Sequence, residues 1–168
     1  MRLAILFASA TLIALTIQTA MPLWFPFQLI LPNLVVILAV DLGLRHHGAL
    51  PAVIAFAMGY AVDAFSGVRI GLNAFLVTVV FLFSYEVSTR LMVTNALVGA
   101  LAVFVGAIIV AAGGIAVASK GNVLAAVGAV MPHVLIQAAI SAAVAPMVFA
   151  LLKMLKLTIG LPAKAARE

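Results

Sequence analysis

Apolar runs of bilayer length, broken only by short polar stretches, constrain this chain more than any motif does. A membrane-crossing helix needs ~20 apolar residues, with ~17–25 as the working range. Such runs cover Leu3–Met21, Leu50–Phe65, Leu72–Ser88 and Ala96–Ala118, with a shorter one at Ile30–Leu44 that extends backwards through Phe25 and Phe27. The last stretch, Val123–Leu152, is too long for one upright helix and contains Pro132. It is read as an interfacial segment over 123–131 and a sixth span over 133–152, because proline suits a helix start, where its missing N–H costs nothing. No run alternates like a strand, and unpaired backbone groups are expensive in lipid, so the spans are expected to be helices. Composition agrees: 67% of the 168 residues are hydrophobic and 8% charged. Soluble domains carry ~25% charged residues. The predicted fold is therefore an all-α membrane bundle of six helices forming one domain over 1–168, with no loop long enough for a folded extramembrane unit.

The basic residues set the expected orientation. With six spans, Arg2, Arg45, Arg90, Lys153, Lys156, Lys164 and Arg167 fall on one side, and Arg69 and Lys120 on the other. The positive-inside rule then puts both chain ends in the cytoplasm, and Trp24 at the outer interface. Arg2 before an apolar run also imitates a signal peptide. The run is longer than an ordinary signal core and no A-x-A-like site precedes Pro22, so it is counted as a span.

Few side chains here can do chemistry. Asp41 stands four residues before Arg45, and Glu86 four before Arg90. Both pairs fall at helix ends on the cytoplasmic side, where i,i+4 partners meet on one face and fix helix depth. Asp63 has no base at that spacing. It shares a helix face with Ala55, Gly59 and Gly67, small residues that admit a neighbouring helix, so it is expected to face the bundle. Its expected partners are Asn73, Arg69 or backbone N–H groups of the turn ending at Gly71. Two readings stay open for it: a carboxylate capping the fourth span, at the positive end of that helix, or a group that contacts a ligand or partner. Gln18, Gln28, Asn33, Asp63 and Asn73 are expected to gather in the outer half of the bundle, as one cluster or as separate helix-end bonds. Gly99, Gly106 and Gly113 recur every seven residues as a seam for close helix contact, within the chain or with a partner, and Gly71 is likewise expected to pack helices.

Several function classes are excluded. A pI near 10.3 comes from scattered basic residues, with no stripe for a phosphate backbone and no aromatic stacking platform. There are no cysteines, and the adjacent His46 and His47 lack the i,i+4 spacing of a helical metal pair; neither a metal site nor a cofactor is expected. Asp41 falls about 4–5 Å from the inner end of its span and Asp63 ~20 Å from the inner end of its own, so they do not form a protease dyad. No nucleophile elbow or phosphate loop is present. An enzyme is not expected.

Gln18-Thr19 before Pro22, then Pro32-Asn33-Leu34, then Gly59, Asp63 and Gly67 followed by Gly71-Leu72-Asn73, resemble in order the landmarks of the rod shape-determining protein MreD family. Asn33 departs from the Asp common there, and Leu31 from the basic residue before the proline. The resemblance covers the first four spans; the last two match in length and hydropathy only. It implies a multi-pass protein of the bacterial inner membrane, with a six-helix fold like that of energy-coupling-factor transporter S-components. It also implies a scaffold for MreC, the MreB filament and the peptidoglycan synthases, which small-residue faces of spans three, five or six are expected to hold by intramembrane packing. The alternative is an S-component-like protein that binds a small molecule or a lipid-linked precursor in the outer polar cluster.

Overall fold

The computed structural model describes residues 2–24, 31–67, 70–90, 96–118 and 123–158. They form six helices: α1 Arg2–Trp24, α2 Leu34–Arg45, α3 Ala49–Ser66, α4 Leu72–Arg90, α5 Ala96–Ala118 and α6 Val123–Thr158. Five of them (α1, α3, α4, α5 and α6) are long and apolar enough to cross a membrane. Large apolar side chains such as Ile13, Val53, Phe56, Phe75, Leu101 and Met147 remain exposed around the bundle, as a lipid-facing surface requires.

The exception is α2. The span expected over 30–44 is instead a helix of 12 residues, about 18 Å long, because Pro32 and Asn33 stop it from growing backwards. Leu31, Pro32 and Asn33 precede it without helical structure, the Leu34 N–H turning back to the Pro32 carbonyl at 3.0 Å. Residues 35–44 are all buried, since a helix apolar all round must be enclosed. α2 is the hub of the bundle and touches all five other helices.

Close approach to this hub depends on missing side chains. A Cβ on Gly43 would stand 2.6 Å from the Phe81 carbonyl oxygen and 2.8 Å from Ser84 Cβ of α4, and one on Gly106 of α5 would meet Val80 at 2.9 Å and Val36 at 3.3 Å. Gly99 admits the ring of Phe149 from α6, and Gly113 admits Leu76 from α4. The glycine seam of α5 is therefore filled by the chain's own neighbouring helices. Of the two uses open to it, contact within the chain or with a partner's helix, the first occupies it.

A second departure is α6. Residues 123–131 do not form a separate interfacial segment; the helix runs unbroken for 36 residues with Pro132 and Pro146 inside it. Each proline removes one backbone bond, to the carbonyl four residues earlier. Long contact with α5 keeps the helix continuous, as neighbours do for prolines in membrane helices.

Because the α2–α4 contact is backbone against backbone, Gly43→Val is expected to lower stability by about 1–3 kcal/mol, seen as a lower melting temperature of the purified protein in detergent. Gly114→Ala, with nothing within 4 Å of the new Cβ, is expected to match or exceed the unmodified chain. Equal losses in both variants would contradict this packing.

Candidate functional site

Three polar groups are built into the bundle, two at the end where α2 and α4 begin and one at the opposite end. The first holds the chain entering α2. Gln18 Nε2 of α1 donates to the Pro32 carbonyl at 3.0 Å, and Gln137 Nε2 of α6 donates to the Leu31 carbonyl at 3.2 Å. The Asn33 N–H donates to Ser141 Oγ of α6 at 2.9 Å, while Asn33 Oδ1 accepts from the Val36 N–H at 3.2 Å as an N-cap. Non-helical backbone at membrane depth is tolerated only when protein groups satisfy it, and three side chains from α1 and α6 do so here.

The second group centres on Asp63, 1% exposed at the end of α3. Its Oδ2 accepts from the N–H groups of Gly71 (2.9 Å) and Ala74 (3.0 Å), and its Oδ1 accepts from the Asn73 N–H (3.1 Å) and Asn73 Nδ2 (2.9 Å). A helix normally takes such bonds from its own N-cap side chain, at the second and third helical N–H groups. Gly71, the residue before α4, has no side chain, so Asp63 of α3 takes that place and sets a negative charge at the positive helix end. Gly59, one turn earlier on α3, makes the approach possible, since a Cβ there would collide with the Asn73 carbonyl and stand 2.6 Å from Ala74 Cα. Ala55 continues this contact face and is fully buried. Gly67 and Gly71, expected to pack helices, have open space at their Cβ positions; with φ of 64° and 99° they turn the chain instead. Asn33 and Asp63 thus belong to separate groups, with no hydrogen bond between them among the described residues. Arg69 and Gln28 lie outside the described residues, and so does the side chain of Trp24.

The third group contains the expected Asp41–Arg45 pair and a further partner that was not foreseen. Asp41 is 1% exposed and receives Lys156 Nζ of α6 on Oδ2 at 2.5 Å, with Arg45 Nε 2.6 Å from Oδ1. The Arg45 contact is an ion pair rather than a hydrogen bond, and Oδ1 has no hydrogen-bond partner among the described residues. Lys156, which the sequence reading counted among the orientation-setting charges, is itself 1% exposed and lies 5.2 Å from the Phe7 ring centroid. His46, in the α2–α3 connection, is 8% exposed and packs edge-on against the same ring. Burial pushes its imidazole down to about 4, reinforced by the Lys156 charge and, less strongly, by Arg45 and His47, while Asp41 opposes the shift; His46 is neutral across the physiological range. Glu86 and Arg90 form the expected pair at 2.7 Å, but on the exposed surface. Among the described residues there is no group of His, Asp and Glu able to hold a metal ion.

Two outcomes follow for variants, read as melting temperature and yield of folded protein. Asp63→Ala orphans three backbone N–H groups, that of Ala74 buried and those of Gly71 and Asn73 part-buried, at a cost of up to ~1–3 kcal/mol each, and is expected to reduce folded protein more than Asn73→Ala does. Asp41→Asn leaves Lys156 buried without a counter-charge, a loss of ~3–5 kcal/mol by analogy with other buried pairs; adding Lys156→Met is expected to restore part of it. A double variant no more stable than Asp41→Asn alone would contradict the pairing.

The family model described as rod shape-determining protein MreD matches residues 2–155. No curated protein and no solved structure matches the chain.

Proposed function

Since the chain belongs to the rod shape-determining protein MreD family, we propose that it is a non-catalytic subunit of the bacterial cell-elongation complex, holding MreC and through it the peptidoglycan synthesis machinery and MreB. One observation carries this reading beyond the family match. The side chains that catalysis or ligand capture would need are committed to the fold: Asp63 to the start of α4, Gln18, Gln137 and Ser141 to the entry of α2, Lys156 to Asp41. The rival reading, small-molecule capture by Asp63 and Asn33, would have to break these bonds first.

The reading includes a place in the cytoplasmic membrane with both chain ends inside, supported by Arg2, Arg45, Arg90 and Lys153 even with Lys156 set aside. It also keeps the likeness to transporter S-components as a proposal about architecture. With short connections at His46–Gly48 and Gly67–Gly71, a partner meets this protein mainly within the bilayer. The glycine seam is filled, so docking moves to the lipid-facing side of α5, whose span over Leu97–Ala118 is the most apolar of the five and the least covered by the bundle. Leu97, Leu101 and Val105 repeat there at helical spacing with exposures of 70%, 56% and 37%.

The test is co-purification of MreC with the full chain from membranes, alongside rescue of rod shape in cells depleted of it. Leu101→Trp with Val105→Trp is expected to leave melting temperature unchanged while lowering MreC recovery and rescue. Normal recovery in that variant would remove α5 as the docking face, and failure of the unmodified chain to recover MreC or restore rods would remove the function.

A further inference from the structure

A groove of about 420 Å³ runs along the outside of the bundle between α1 and α3, with Ala4, Ala8 and Thr11 among the α1 residues lining it and Leu50, Ala57 and Ala61 among those of α3. Alanines spaced four apart on both walls keep it open. Thr11 carries the one hydroxyl in the lining, and that hydroxyl donates to the Phe7 carbonyl at 2.7 Å. The walls therefore offer an occupant dispersion contacts and nothing polar.

Its length selects the occupant. The groove reaches along α3 from Leu50 to Ala61, about 16 Å at ~1.5 Å per residue. That is the depth of one leaflet, half of a ~30 Å hydrocarbon core. A partner's crossing helix would use the whole 18 residues of α3, about 27 Å.

Charge selects the headgroup. Arg2 stands exposed at the start of α1, half a turn before Ala4. At the same end of the groove, α3 follows Gly48 with no side chain capping its first N–H groups, and the positive end of a helix favours anions. His47 is exposed in the same connection. The nearest acids add no repulsion: Asp41 is buried under two cations and Glu86 is paired with Arg90.

We propose that this groove is a binding site for an anionic phospholipid of the leaflet at the Arg2 end. One acyl chain lies along the alanine walls, and the phosphate sits by Arg2 and the first turn of α3. The proposal rests on the membrane fold alone, independent of the role in elongation.

Native mass spectrometry of the delipidated full chain, titrated with phosphatidylglycerol and with phosphatidylcholine, tests it. One phosphatidylglycerol per chain is expected to bind more tightly than phosphatidylcholine, with Arg2→Gln removing about fivefold of that preference, as for one basic residue at an anionic surface. Filling the groove with Ala8→Phe and Ala57→Phe is expected to weaken both lipids by tenfold or more, roughly the burial of two methylene groups. Should that variant not fold, Ala8→Met alone is expected to shift the same way by a smaller factor. Equal affinity for the two lipids, or an unchanged preference in Arg2→Gln, overturns the headgroup assignment; unchanged binding in the filled groove overturns the site.

Discussion

A main-chain N–H or C=O left open in hydrocarbon costs several kcal/mol, and this bundle is arranged around two described helix starts that side chains of neighbouring helices complete. At α2 the side chains of Gln18, Gln137 and Ser141 stand in for the missing helical turn. At α4 the carboxylate of Asp63 does the same for a helix that opens on glycine. At α2 the cap is the chain's own Asn33, and groups from α1 and α6 satisfy the residues before it. At α4 the cap itself comes from another helix, so there the helix start exists only when the neighbour is in place.

This explains why α2 occupies the centre. A short helix whose entry needs side chains of α1 and α6 is unsuited to the lipid face, and all five neighbours touch it. The glycines at 43 and 106 serve the same end, each admitting an atom of a neighbouring helix within 3 Å of where a Cβ would stand, and Gly59 does so between α3 and α4. Enclosure also creates an electrostatic demand at the other end of α2, where Asp41 is out of reach of water and its attraction to Lys156 and Arg45 has to offset the desolvation of all three.

The sequence made some of this visible and hid the rest for physical reasons. Asp63 was readable as a cap because the N–H groups that donate to it lie within eleven residues, across a turn marked by Gly67 and Gly71. The small-residue faces were readable as contact surfaces, but composition does not say whether the contact is internal. Lys156 was not readable as a partner of Asp41 because it sits among other basic residues near a helix end, where charge usually sets topology; its partner is 115 residues away. Gln137 lay inside an apolar run with nothing local to mark it. The length of α2 was overestimated because hydropathy counts residues without asking whether each is helical, and Pro132 was given a boundary role that packing against α5 cancels.

The separation of Asp41 from Lys156 bears on how the protein is made. A ribosome delivers α2 to the translocation machinery long before α6 exists, so during that interval the carboxylate has Arg45 as its companion and not the ammonium it will finally hold. The hub therefore enters the bilayer as a poor passenger, short and charged. It reaches its finished surroundings only when the closing helix arrives. Biogenesis of this fold thus leaves the Asp41 site incomplete until Lys156, 115 residues further along the chain, is in place.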